Sequence, residues 1–131
     1  MTEIDLGNAI FNDNTRFQAC CYGCKKATTI NLNKALFIKG GSDDTIAFSA
    51  CNALAGITLG TIKFSLTFAN SNLLTKQSVL NIINAAAANV TYTLHSTVYA
   101  KCASGGEWYT DIQAAIDAKA QQGYTVTLIS A

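Results

Sequence analysis

The hydrophobic positions in the first half of the chain recur as the short pattern Ile-x-Leu. The pattern starts at Ile4, Ile30 and Ile57, so the spacings are 26 and 27 residues, and an aromatic residue follows each Leu five positions later. Alternation of apolar and polar residues is typical of a strand with one buried face. We therefore predict one short strand in each repeat, with each repeat forming one turn of a coil.

Looser copies of the pattern continue into the second half of the chain. They lie at Tyr92–Tyr99 (YTLHSTVY) and Thr125–Ser130 (TVTLIS), with leading apolar residues at positions 92 and 126. The segments that connect the five predicted strands are too long for hairpins, so we expect parallel pairing.

A helix is predicted over Thr75–Asn89, before the fourth strand. Thr75 is suited to the N-cap, and Asn89 lies beyond the end. The apolar stripe of this helix consists of Val79, Ile82, Ile83 and Ala86.

A second helix is predicted over residues 110–122, before the fifth strand. Thr110 and Gln113 have the spacing of a capping box, and Gly123 supplies a C-terminal stop. Lys119 falls on the apolar stripe, where its stem can pack while its ammonium group reaches water. The apolar stripe consists of Ile112, Ala115 and Ile116, with Ala120 at its edge.

The overall composition excludes several classes of protein. The chain has 131 residues, of which half are hydrophobic and 13% charged, and its formal net charge is +1. This length indicates one domain. The Lys and Arg residues are scattered, so no nucleic-acid partner is predicted. The sequence contains no apolar stretch of the length needed for membrane insertion or for a signal peptide.

The five cysteines raise the question of a metal or redox site, most directly at CCYGC. A structural zinc site usually needs two pairs of ligands, but Cys21 and Cys24 form the only Cys-x-x-Cys in the sequence. A thioredoxin-like pair lies at the start of a helix, whereas this segment leads into a predicted strand. We therefore predict a core role for Cys24 and Cys51 and no cofactor. A metal or redox protein that uses the cluster of Cys20, Cys21 and Cys24 stays open as the less favoured alternative.

Cys24 and Cys51 occupy the same position in successive repeats, YGCKKATTINL and FSACNALAGITL. These stretches resemble the leucine-rich repeats of the BspA-like surface-antigen family, whose pattern is roughly Phe-x-x-Cys-x-x-Leu-x-x-Ile-x-Leu. The resemblance covers about residues 17–64, and Ala27 stands where the pattern has Leu. Residues 71–131 resemble the helix–strand–helix–strand ends of such repeat regions in gut-bacterial proteins and in phage or prophage fibres.

The repeats and the resemblance together predict the fold class. It is an α/β protein, a short solenoid of leucine-rich-repeat type with about five parallel strands and C-terminal helices on the convex side. We expect a single domain over residues 1–131, with coils in residues 1–70 and a C-terminal cap in residues 71–131.

The resemblance also implies a function, which is a non-enzymatic structural or recognition module at a virion or cell surface. The preferred interpretation is a phage or prophage fibre or decoration component, and the alternative is a fragment of a bacterial adhesin. The expected partners are other protein subunits, in a homo-oligomer or larger assembly, and a host-surface glycan or protein.

Candidate binding residues follow from the predicted strand faces. If Ile-x-Leu points inwards, the intervening polar residues point outwards, which selects Asp5, Asn31, Thr58, Thr93 and Thr127, with His95 beside them. Aromatic side chains near strand ends add Tyr99, Trp108 and Tyr109. Each has a structural alternative: stacked Thr and Asn side chains satisfy each other, and Trp108 can pack as a hydrophobic staple on the second helix.

The first predicted strand begins almost at Met1, with no segment before it to cover the first coil. Terminal repeats normally need a polar cap. We therefore expect the isolated chain to self-associate or to dock through residues 2–17.

Overall fold

A computed structural model describes residues 3–5, 21, 23–37 and 48–131 of the chain. Within these residues it is a mixed α/β structure with six strands and three helices. The strands are β1 (Glu3–Asp5), β2 (Thr29–Phe37), β3 (Gly56–Ile62), β4 (Leu66–Phe68), β5 (Val90–Leu94) and β6 (Val126–Ser130). The helices are α1 (Lys76–Ala85), α2 (Ser96–Cys102) and α3 (Tyr109–Gln121).

The first sheet has the strand order β1-β2-β3, and both of its pairs are parallel. Ile4 pairs with Ile30, and Ile30 pairs with Ile57, which is the register that the repeat spacing predicts. Ile30 and Ile57 are buried. The prediction of parallel strands in repeat register is therefore confirmed for the first three strands.

The second sheet has the order β4-β5-β6 and is also parallel. Strand β4 was not predicted, so the described part of the chain has six strands and not about five. The predicted alignment of the last two strands is also wrong by two residues, because Tyr92 pairs with Leu128 and Val126 pairs with Val90. A shift of two residues keeps the same side chains on the same face.

At the beginning of β3, helix α1 lies against the edge of this strand that has no neighbouring strand. The Ser78 hydroxyl donates to the carbonyl oxygen of Ala55 at 2.6 Å and accepts from the amide of Ile57 at 3.1 Å. The Asn81 side chain donates to the carbonyl oxygen of Ile57 at 3.0 Å. These side chains take the place of a fourth strand on that edge, which otherwise would expose unpaired backbone groups.

Strand pairing resumes towards the end of β3. Ile62 forms a parallel bridge with Ala86, and the amide of Ala87 donates to the carbonyl oxygen of Ile62 at 2.9 Å. β4 begins four residues after Ile62 and pairs with β5. The described residues thus form two small parallel sheets, and no closed solenoid or barrel is present among them.

One hydrophobic core serves both sheets. It extends from Cys21 to Val126 without a break between the sheets. The rings of Phe48 and Phe68 stack with centroids 5.2 Å apart, and the Tyr92 hydroxyl donates to the carbonyl oxygen of Ile82 at 2.8 Å.

Helix α1 has the predicted cap and buried stripe, but it is shorter than predicted. The Thr75 hydroxyl accepts from the amide of Ser78, and the stripe residues Val79, Ile82 and Ile83 are buried. The helix ends at Ala85, and Ala86 already has extended backbone because it bridges to β3.

The predicted capping box of the last helix is wrong. Helix α3 begins at Tyr109, and its N-cap residue Trp108 makes no side-chain capping bond. The amide of Trp108 donates to the carbonyl oxygen of Lys101 at 2.8 Å, which fixes the entry to the helix two residues earlier than Thr110. Gln113 instead donates to Asp117 at 2.9 Å.

At the end of α3, the predicted glycine stop is present, but the Lys119 ammonium group lies elsewhere than predicted. Gly123 has a φ of 92°, the left-handed conformation expected of a C-terminal glycine. The Lys119 ammonium group does not simply reach water, because its Nζ donates to the carbonyl oxygen of Ala86 at 2.8 Å. This bond places a cation at the C-terminus of α1, where the helix dipole favours positive charge.

The stretch Tyr92–Tyr99 is a strand only in its first half. β5 ends at Leu94, and α2 begins at Ser96 with His95 as its N-cap. The His95 Nδ1 atom accepts from the amide of Thr97 at 3.1 Å.

No helix in the described ranges has the length and apolarity that crossing a membrane requires.

Candidate functional site

A polar row crosses the face of the first sheet opposite to its buried Ile and Leu residues. Asp5 pairs with Asn31, and Asn31 pairs with Thr58, so these three predicted residues lie side by side on neighbouring strands. Asp5 is exposed, and Asn31 and Thr58 are half-buried. Glu3 and Thr29 form a second, exposed pair beside them. We call Asp5, Asn31 and Thr58 the outer row.

The remaining predicted strand residues do not extend this row. Thr93 pairs with Thr67 on one side and with Ile129 on the other, whereas Thr127 pairs with Thr91. Thr67 and Thr91 are outward residues that sequence reasoning missed. Thr67 could have been found only by recognising β4, and Thr91 only by placing the start of β5 at Val90.

Three predicted residues that are distant in the sequence meet in a cleft between α2, α3 and β6. These are Tyr99 on α2, Tyr109 at the start of α3 and Thr127 on β6. The cleft has a volume of about 350 Å³. We call it the α2–α3 cleft.

Further side chains complete the lining of the α2–α3 cleft, and the sequence predicted none of them as a binding residue. Ser104 and Gln113 add polar groups, while Ile116, Val126 and Leu128 supply apolar surface. The signal that could have found Gln113 and Ile116 is the helical spacing from Tyr109, since residues three and four apart share a face.

The loop between α2 and α3 passes very close to the backbone at the end of α2. A Cβ atom at Gly106 would overlap the carbonyl oxygens of Ala100 and Lys101, so only glycine allows this close approach. Trp108 is half-buried and packs against the core, with the Lys101 Nζ 4.9 Å from its ring centroid. Trp108 thus has a packing role at the helix start and does not line the α2–α3 cleft.

His95 also has a structural role. Its ring nitrogen caps α2, so the side chain does not project from a strand face as the sequence pattern predicted. The reason is that β5 ends one residue earlier, at Leu94.

Burial raises the pKa of three thiols in the described part of the chain. Cys51 is buried, and desolvation raises the pKa of its thiol from 9.0 to about 11. Its Sγ donates to the carbonyl oxygen of Cys21 at 3.1 Å. Burial also raises the pKa of Cys24, and it raises the pKa of Cys102 to about 11. Thiols with raised pKa values are poor nucleophiles and poor metal ligands at neutral pH.

The cysteine cluster is only partly described. Cys20 lies outside the described residues, as does most of the segment 2–17 that was predicted to dock. Among the residues that the structure covers, no group of three or more Cys, His, Asp or Glu side chains is arranged to hold a metal ion.

Comparison with known proteins gives no family assignment. No family model matches the sequence, and no curated protein or solved structure matches it significantly. The resemblance to the BspA-like repeats therefore stays a prediction based on the quoted motifs.

Proposed function

We propose that this chain is a non-enzymatic structural or recognition module, built as a short solenoid of leucine-rich-repeat type. It binds other protein subunits, including copies of itself, in a virion fibre or decoration, with a cell-surface adhesin as the alternative setting. The observation that carries the proposal is the in-register outer row of Asp5, Asn31 and Thr58 on a parallel sheet.

The geometry of the outer row suits a protein partner. Its three side chains belong to strands 26 and 27 residues apart in the chain, so they repeat at the strand spacing of roughly 4.8 Å. Carboxylate, amide and hydroxyl groups together offer donors and acceptors to a partner's backbone or side chains. The rigid sheet holds these groups in place, so little conformational entropy is lost on binding.

The state of the thiols supports a non-enzymatic role over a cysteine enzyme. Nucleophilic catalysis requires a thiolate, which a lowered pKa or an adjacent base provides. The pKa values of Cys24, Cys51 and Cys102 are all shifted upwards by burial. These thiols therefore remain protonated at neutral pH.

Light scattering of the full chain tests the proposal. We expect an oligomer that the substitution Thr58→Lys dissociates, because an ammonium group at the β3 end of the outer row would lose its hydration in the interface. The matched control is Asn84→Lys, at an exposed position of α1, which should leave the mass unchanged. A monomer at all concentrations, or equal effects of the two variants, would contradict assembly through the outer row.

A metal assay separates the proposal from its cysteine-based alternative. We expect no stoichiometric zinc and slow thiol titration that accelerates on denaturation. One equivalent of bound zinc together with protected thiols would favour the metal protein instead.

A further inference from the structure

We propose that the α2–α3 cleft binds a neutral ligand rich in hydroxyl groups, of the size of one sugar residue. This site is separate from the outer row, since none of Asp5, Asn31 and Thr58 lines it. The inference therefore goes beyond subunit assembly and can be tested independently of it.

The size of the α2–α3 cleft sets the size of the ligand. Its volume of about 350 Å³ lies near the lower end of the range for small-molecule sites, roughly 300–1,000 Å³. Most of its lining comes from two helices and a strand, which are more rigid supports for a site than loops, and Ala103 and Ser104 come from the loop after α2.

The polar groups in the α2–α3 cleft can both donate and accept. Tyr99 and Tyr109 carry phenolic hydroxyls, and Ser104 and Thr127 carry aliphatic hydroxyls. Gln113 donates one amide proton to Asp117, and its carbonyl oxygen still provides an acceptor. Ligand hydroxyls also both donate and accept, so they match this mixture of groups.

The apolar part of the lining completes the match to a sugar. Ile116, Val126 and Leu128 supply aliphatic surface next to the two tyrosine rings. A sugar ring presents polarised C–H groups on its faces and hydroxyls around its edge. The negative face of an aromatic ring attracts such C–H groups, while the edge hydroxyls can reach the polar groups of the lining.

The absence of charge in the described lining favours a neutral ligand. No Asp, Glu, Lys, Arg or His side chain is among the residues that line the cleft. The Cys102 thiol in the lining is protonated at neutral pH. An ionic ligand would lose hydration there without gaining an opposite charge, and a purely apolar ligand would leave the hydroxyls of the cleft unpaired.

An NMR titration of the isotopically labelled full chain tests the site. The probes are methyl glucoside and methyl galactoside, with sodium glucuronate as the charged comparison and cyclohexane-methanol as the more apolar one. We expect saturable amide shifts confined to α2, α3 and β6 for at least one methyl glycoside, with a dissociation constant of about 1 mM. Glucuronate and cyclohexane-methanol should bind at least about tenfold more weakly.

Two tyrosine variants locate the binding. Tyr109→Phe removes one hydroxyl from the cleft and should weaken binding about tenfold, the effect of losing one hydrogen bond. Tyr109 is exposed, so the variant should fold normally. Tyr124→Phe is the matched control, because Tyr124 lies outside the cleft and contacts Lys119.

The outcomes separate the two proposed surfaces. Absence of saturable shifts with both methyl glycosides overturns the inference, as does equal binding of glucuronate or an equal effect of the two tyrosine variants. Shifts centred on the outer row instead of the cleft would overturn the site assignment while leaving assembly through that row untouched.

Discussion

One buried serine contributes strongly to ending the first sheet at β3. Ser78 is almost completely buried, and its hydroxyl bonds to two backbone groups, the carbonyl oxygen of Ala55 just before β3 and the amide of Ile57 in β3. The same hydroxyl lies 2.9 Å from that of Thr75, the cap of α1. The side chain therefore serves the helix and the sheet at once.

Removing that hydroxyl should weaken the whole protein. Ser78→Ala leaves the buried amide of Ile57 without its partner, so we expect a loss of about 1–3 kcal/mol in the free energy of unfolding. Urea denaturation measures it. Asn84→Ala, at an exposed position of the same helix, should change the value by less than about 0.5 kcal/mol. Similar values for the two variants would show that Ser78 does not hold the edge.

The buried thiol of Cys51 makes stability fall at alkaline pH. Its pKa is about 11 in the folded protein against an ordinary value of 9.0, so above pH 9 the unfolded chain loses a proton that the folded chain keeps. The stabilisation is complete below pH 9.0 and is lost as the pH rises towards 11.

The variant Cys51→Ala isolates this contribution. At neutral pH the variant should have a lower free energy of unfolding than the unchanged protein, because packing is lost. The difference between the two proteins should shrink by up to about 3 kcal/mol by alkaline pH, since each pKa unit corresponds to about 1.4 kcal/mol. Urea denaturation of both proteins across this range measures the difference, from which the titrating groups that do not interact with Cys51 cancel. A constant difference would mean that Cys51 ionises normally in the folded state.

At the scale of elements, the sequence predicted strands well where the pattern repeats and poorly where it does not. Ile4, Ile30 and Ile57 share one phase of the period-2 pattern, and that phase fixes both the buried face and the register. β4 has only three residues, too few for a periodic signal, and becomes a strand because β5 pairs with it.

Helix α2 was missed because its residues favour extended structure. Thr97 and Val98 are β-branched, and they lie three and four residues after the end of β5 at Leu94. Tertiary contacts override this preference: Val98 and Cys102 are buried, which is a helical spacing of four. The α2–α3 cleft could not be foreseen for the same reason, since Tyr99 reaches it only from a helix.

Substitution of Gly106 and of Gly123 should destabilise the protein for two different reasons, steric overlap at Gly106 and backbone strain at Gly123. Gly123 has a φ of 92° with open space at its Cβ position, so Gly123→Ala should cost about 1–2 kcal/mol through strain alone. Gly106→Ala should cost more, because the methyl group would overlap two carbonyl oxygens of α2 and force the loop to move. Thermal and urea unfolding measure both variants, and a larger loss at Gly123 would contradict the proposed packing of the loop.

For the whole molecule, one hydrophobic core joins the two sheets, which are separate in their strand pairing. Buried residues from both sheets belong to one hydrophobic cluster, and α1 packs on both β3 and α3. An ion pair between Lys76 and Asp111 joins the same two helices. The sequence predicted parallel strands and one domain from the repeats and the length. It could not predict two sheets, because the division depends on the side chains of Ser78 and Asn81.

A shared core should make unfolding a single event. We expect urea transitions followed by the fluorescence of Trp108 and by far-UV circular dichroism to coincide, because neither sheet has a core of its own. Trp108 reports on the α2–α3 region, and circular dichroism reports on all elements. Two separated transitions would show that two parts of the chain unfold as independent units.

The helix that closes the edge of β3 also limits how this architecture can be lengthened. A duplicated repeat inserted just before Gly56 would leave the last copy of the repeat in contact with Ser78 and Asn81, so every bond to α1 could form again. A repeat inserted between Ile62 and Ala86 would separate the helix from the strand whose edge it covers. Insertion of whole repeats is therefore compatible with this fold on the amino-terminal side of β3, and α1 fixes the other edge of the first sheet.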